Sequence, residues 1–141
     1  MSVGRWWKVL EHPADIGIEA GGKDSREAFE EAAKGMMAIV VKRESVGTAS
    51  ERTVELEGRD QENLLVRWLS EILYLFDGEQ FVVAEPGIRE LTTNRLSAVL
   101  RGEQFDPLKH EVLLDVKAVT YHQLAVASTA SGCRVRVFFD I

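Results

Sequence analysis

The sequence predicts an α+β fold in which two main helices pack, as one of two layers, on mostly antiparallel β-sheet, and three observations predict it. Two stretches, within 28–40 and 64–76, repeat apolar residues at three- and four-residue steps. Most of the remainder alternates apolar and polar residues with period two. The 141 residues contain no internal repeat, low-complexity tract or Pro/Ser-rich linker. Residues 1–141 therefore read as a single domain, of a size that buries roughly 70% of its unfolded surface.

Taken in order, the segment His12-Pro13-Ala14-Asp15-Ile16-Gly17 lies between two expected strands. The first helix starts at Asp24, an N-cap with Glu27 three residues on as capping-box partner, and presents Ala28, Phe29, Ala32, Ala33, Met36, Met37 and Val40 on one face. Val54 and Leu56 mark a strand. The second helix follows Asp60, with Leu65, Trp68, Leu69, Ile72, Leu73 and Phe76 in helical register until Asp77-Gly78 stops it. Further strands carry Phe81 and Val83; Leu96, Ala98 and Leu100; Val112, Leu114, Val116 and Ala118; Leu124 and Val126; and Cys133, Val135, Val137 and Phe139. Turns are expected at Gly21-Gly22, Glu85-Pro86-Gly87, Arg101-Gly102 and Ser131-Gly132. Helices and sheet need each other, since neither buries its apolar stripe alone.

Composition narrows the function classes. With 23 acidic against 17 basic residues the formal charge is -6, which argues against a surface built mainly to neutralise phosphates and makes any tRNA role indirect. The single cysteine, Cys133, sits in an apolar alternating run and reads as a core residue. No signal peptide and no run of about 18 apolar residues is present, so a cytoplasmic protein without a membrane segment is expected. Phosphate loops, HExxH, CxxC and GxSxG are all missing, which favours a non-catalytic protein.

Three sets of polar residues in apolar surroundings remain. His12 and Asp15 read either as turn and capping residues or as ligands. Lys117 shares a strand face with Asp115, Val119 and Tyr121, and either packs its stem on the sheet with the ammonium in solvent or meets a carboxylate. The third set is Asp140 and Ile141, where docking the terminus sets two carboxylates about 4 Å apart, repelling by roughly 4 kcal/mol at an effective dielectric near 20. A cation is expected there: Lys117, Arg134 or Arg136, or a hard metal ion, which suits an all-oxygen site.

Four segments resemble the archease family along essentially the full length. Glu11 to Gly17 is similar to the family's D-H-T-A-D-I opening, with Glu11 for aspartate and Pro13 for threonine. Ser25 to Glu30 resembles its first helix start, Leu64 to Asp77 its second helix, and Val116-Lys117-Ala118-Val119-Thr120-Tyr121-His122 with Phe139-Asp140-Ile141 its closing strand pair. The resemblance implies a partner protein of the RtcB-type RNA ligase of tRNA splicing and RNA repair, promoting ligase guanylylation, multiple turnover and broader nucleotide use without catalysis of its own. It further implies a divalent metal, calcium first, held by Asp15, Asp140 and Ile141. Lys117 matches a lysine needed for activation and Glu27 an acidic position of functional interest, with His12 a further candidate. An alternative from another class is a chaperone or specificity modulator of a tRNA methyltransferase. A metal-dependent phosphoesterase finds little support, having only His12 and His122 as obvious bases.

Overall fold

Residues 4–11 and 15–141 are described by the computed structural model, which contains two helices and two antiparallel sheets. In chain order they are β1 (Trp6–Glu11), β2 (Ile16–Gly22), α1 (Ser25–Val40), β3 (Ser50–Glu57), α2 (Gln61–Glu79), β4 (Phe81–Leu91), β5 (Arg95–Gln104), β6 (Ala118–Val119), β7 (Ala125–Thr129) and β8 (Gly132–Asp140). A short 3-10 turn covers Arg43–Ser45. The larger sheet runs β1-β2-β8-β6 with β7 also on β8, and the smaller runs β3-β5-β4. Both helices touch strands of both sheets. The α+β expectation therefore holds, and the structure adds that the strands divide between two sheets.

Both helix starts form as their caps dictate. Asp24 Oδ1 accepts the Glu27 N–H at 2.9 Å and Asp60 Oδ1 accepts the Asn63 N–H at 2.8 Å. The second helix runs to Glu79, two residues past the expected stop, because Gln80 adopts the left-handed conformation (φ 55°) that closes it. Trp68, fully buried, donates its indole N–H to the Phe29 carbonyl at 2.9 Å and ties the helices together. Three charged side chains of α1 are nearly buried: Glu27, Glu30 and Glu31. Glu30 pairs with Arg5 and also accepts the Ile88 N–H at 2.8 Å, while Glu31 takes Arg5 Nε at 3.2 Å and Lys34 at 2.8 Å. Burial of those carboxylates is tolerable because each is paired.

Three of the four expected turns are not turns. β4 continues through Pro86 and Gly87 with irregular register after Val83 and after Ile88. Proline is tolerated there because β4 is an edge strand. Gly21-Gly22 ends β2, and Gly102 lies inside β5, where a Cβ would come within 1.9 Å of the Val82 carbonyl oxygen. These glycines permit close approach of neighbouring groups rather than chain reversal. Ser131-Gly132 does reverse the chain, with Gly132 at φ 149°.

The strand expected over 112–121 is also corrected. Only Ala118–Val119 pair with β8, and Val112 makes one isolated bridge to Val41. Leu113 N–H and Lys42 N–H bond across to Val40 and Glu111, so the segment attaches to the end of α1 and then to β8. Among the described residues no partner strand runs beside it between these points. Its apolar residues are consequently not all core, with Val112 and Leu113 about half exposed.

The loop leading into this segment is held by the buried His110 and the part-exposed Glu103. His110 Nδ1 accepts the Asp106 N–H at 2.9 Å, so Nε2 carries the proton and donates to Glu103 at 2.7 Å. Glu103 also accepts from Gly47 N–H at 2.7 Å and Lys109 Nζ at 2.8 Å, and these donors hold its carboxyl down from the ordinary 4.5 to about 2. An unfolded glutamate takes up its proton first on acidification. The stabilisation is therefore complete above about pH 4.5 and lost as pH falls toward about 2. Glu103→Gln should lower the urea midpoint at about pH 6, and the gap to the unmodified chain should narrow at about pH 3.

Candidate functional site

The antiparallel ladder between β2 and β8 ends at Ile16 opposite Phe139. One step further along the same register sets Asp15 opposite Asp140, and directly opposed residues of such a ladder point to the same side of the sheet. Asp15 and Asp140 do line one open cleft of about 410 Å³, together with Thr120, His122, Phe138 and Phe139. The β2–β8 pairing thus brings together two of the carboxylates singled out from the sequence.

Beside them, the Lys117 N–H donates to the Asp140 carbonyl at 2.8 Å and the Thr120 N–H to that of Phe138 at 3.0 Å. The Thr120 hydroxyl also donates to the Phe138 carbonyl at 3.0 Å and accepts the His122 N–H at 3.2 Å. His122 rests edge-on against the Phe138 ring, 5.8 Å between centroids. The end of β8 is fixed on both sides, by β2 and by the 117–120 segment.

Among the described residues, neither Asp15 nor Asp140 has a Lys, Arg or His nitrogen within ion-pairing distance. This disposes of Lys117, Arg134 and Arg136 as direct counter-ions. The donors facing the cleft are carboxylate and hydroxyl oxygens with one imidazole, a set that fits a hard cation better than a soft one. Among the described residues no group of three or more His, Cys, Asp or Glu side chains converges on one point. Among the described residues the cleft offers two carboxylates, the Thr120 hydroxyl and the His122 imidazole, and an ion there would complete its shell with backbone oxygens or water. Ile141 follows Asp140, about half exposed, and is not among the residues lining the cleft.

Lys117 divides its backbone from its side chain. Because Ala118 pairs with Asp140, Lys117 faces the opposite side of the sheet from Asp140. Its side chain lines a neighbouring cleft with Ser70, Leu73, Tyr74 and Asp77 of α2. It is exposed. Burial, with the nearby charge of Asp115, pushes the Asp77 carboxyl up from its ordinary range. The lysine thus stands next to the acidic tip but on its helical flank.

Glu27 lies elsewhere. Its carboxylate accepts the Lys23 N–H at 3.0 Å and packs over Gly22, at the other end of β2 about 20 Å from Asp15. The expected capping role accounts for its position, one residue earlier in its target than a standard capping box. His12 lies outside the described residues. Thr120 and His122, which the sequence places in the closing strand motif without a role at the acidic tip, join the cleft through the non-local β6–β8 register.

Comparison with known proteins agrees with this architecture. The pattern defining the archease protein family matches residues 7–141. Archease of Methanosarcina mazei is 38% identical over 144 residues, covering 99% of each chain, and that of Thermococcus kodakarensis is 39% identical over 131 residues, covering 91% of this chain and 92% of that one. The solution structure of protein 1598 of Methanobacterium thermoautotrophicum superposes with a TM-score of 0.78 at 30% identity, covering 96% of this chain and 98% of that chain. A match of this extent reaches from β1 to the Asp140 end of β8, and the chain belongs to the archease family.

Proposed function

We propose that this protein activates an RtcB-type RNA ligase, presenting a cation-bearing acidic tip and the adjacent Lys117 to the ligase's nucleotide-handling site, with no chemistry of its own. The observation that carries this reading is the pair Asp15 and Asp140, facing one cleft with no ion-pairing nitrogen beside them among the described residues. A divalent cation bound there, calcium in first place, supplies the opposite charge that two like carboxylates need and joins the Asp15 segment to the end of β8. Lys117 supplies a mobile point charge for phosphate oxygens, which its exposure on the flank of the tip permits.

The test is multiple-turnover ligation by the ligase of the same organism with substrate in excess. Asp15→Asn and Lys117→Ala should each keep the fold by circular dichroism yet leave turnover at the level of the ligase alone. Normal stimulation by both variants would show that the tip is structural. Stimulation of a tRNA methyltransferase, and not of the ligase, would assign the chain to the other class of partner.

A further inference from the structure

The face of the larger sheet that points away from α1 carries an unassigned set of side chains. α1 packs against Trp7 and Ile18 through Gly35, so the alternate positions face outward. Register places Trp6, Gly21, Arg134 and Ala127 in one outward row across β1, β2, β8 and β7, and Lys8, Glu19, Arg136 and Ala125 in the next. The Trp6 indole lies over Gly21 so closely that a Cβ there would meet ring atoms at 2.6–2.9 Å. Trp7 packs against the hydrophobic core, whereas Trp6 lines an open cleft of about 280 Å³ at the Gly22–Cys133 end of the sheet, with Ala127, Thr129 and Arg134.

Charge at the Trp6 end of this face is opposite to that of the chain, while Asp15 and Asp140 lie on the same face at its other end. Lys8 and Glu19 cancel at 3.2 Å. Arg134 is exposed and has no carboxylate within 4.0 Å among the described residues. Among the described residues Arg136 commits only Nε, to the Gln123 carbonyl at 2.9 Å. Asp24, whose charge reaches Cys133, spends a carboxylate oxygen on the cap of α1. Two guanidiniums two residues apart on one strand, roughly 7 Å by strand rise, thus stand uncompensated beside an indole in a protein of formal charge -6.

We infer that this face binds single-stranded nucleic acid, one base stacking on Trp6 and the adjoining phosphates lying on Arg134 and Arg136. Aromatic planes on an open sheet with flanking guanidiniums are the groups that take unpaired bases and their backbone, because every base has a π-face and every linkage a charge. The acidic composition argues against non-specific coating by nucleic acid but leaves a local basic strip available. Such binding does not depend on the ligase reading, since it is measured on this chain alone.

The experiment is fluorescence anisotropy of a 5′-labelled single-stranded RNA of about ten nucleotides, titrated with the full chain at low salt. Trp6→Ala should weaken binding by at least about fivefold and Trp6→Phe should restore most of it. Arg134→Gln should reduce the slope of log affinity against log salt by about 0.7, the contribution of one phosphate on a single strand. The inference is overturned if no saturable binding appears, or if neither Trp6→Ala nor Arg134→Gln changes it. It also fails if a duplex, a mononucleotide or an acidic peptide competes as effectively as the single strand.

Discussion

At a calcium concentration about a hundredfold above its dissociation constant, the unmodified chain should melt roughly 10 °C higher than in chelator, and Asp140→Asn should show no such rise. Binding to the folded state alone is worth about 2.7 kcal/mol at that excess, which converts to a shift of this size for a chain of this length. Asp15 and Asp140 face the same cleft with no counter-ion among the described residues, so loss of either removes half of the cleft's carboxylate charge. In chelator the sign reverses. There the two carboxylates repel, and Asp140→Asn should be as stable as the unmodified chain or slightly more so. This crossing of the two melting curves separates an ion site from a merely structural aspartate, whose replacement would lower stability under both conditions. Equal calcium-dependent rises in the unmodified chain, Asp15→Asn and Asp140→Asn would place the ion elsewhere.

The helices were readable in the sequence because what makes them is local. Asp24 and Asp60 sit one residue before each helix, and the 3.6-residue period of Phe29, Met36 and Trp68 is visible without knowing their partners. Strand existence was readable for the same reason, but the division into two sheets was not. Which strand lies beside which depends on contacts between residues as far apart as Ile16 and Phe139. The segment around Leu113 shows the cost of reading alternation alone, since period two marks a pleat only if a neighbour strand exists to bond it. Asp140 stands out from the docked strand end and Asp15 from its turn segment, the family resemblance joins them as metal ligands, and their adjacency comes from the β2–β8 register. The separation of the Lys117 side chain from that tip follows from the parity of a single pair, Ala118 with Asp140.

Gly102→Ala tests the part of the fold where sequence rules misled most. Glycine after arginine between two apolar runs reads as a turn, and an alanine in a turn of ordinary φ costs little. Within β5 the same substitution drives a methyl to within 1.9 Å of the Val82 carbonyl oxygen and 2.8 Å of its carbonyl carbon. Those atoms belong to the backbone of β4, so no rotamer change relieves the clash. β4 must move away from β5, loosening a ladder that also positions the buried Phe81, Val82 and Leu100. A loss of about 3 kcal/mol or more is expected, at the upper end of overpacking effects, with a fall in melting temperature of roughly 10 °C. Gly87→Ala on the same strand pair is the control, because its nearest obstacle is the Val99 oxygen at 3.2 Å, a contact relieved by a few tenths of an ångström. Since Gly102 lies in the smaller sheet and the acidic tip in the larger, the calcium-dependent rise should survive in both glycine variants. A neutral Gly102→Ala would mean that β4 and β5 are not packed at this distance, and with it the account of why the chain runs straight through Gly102 would fail.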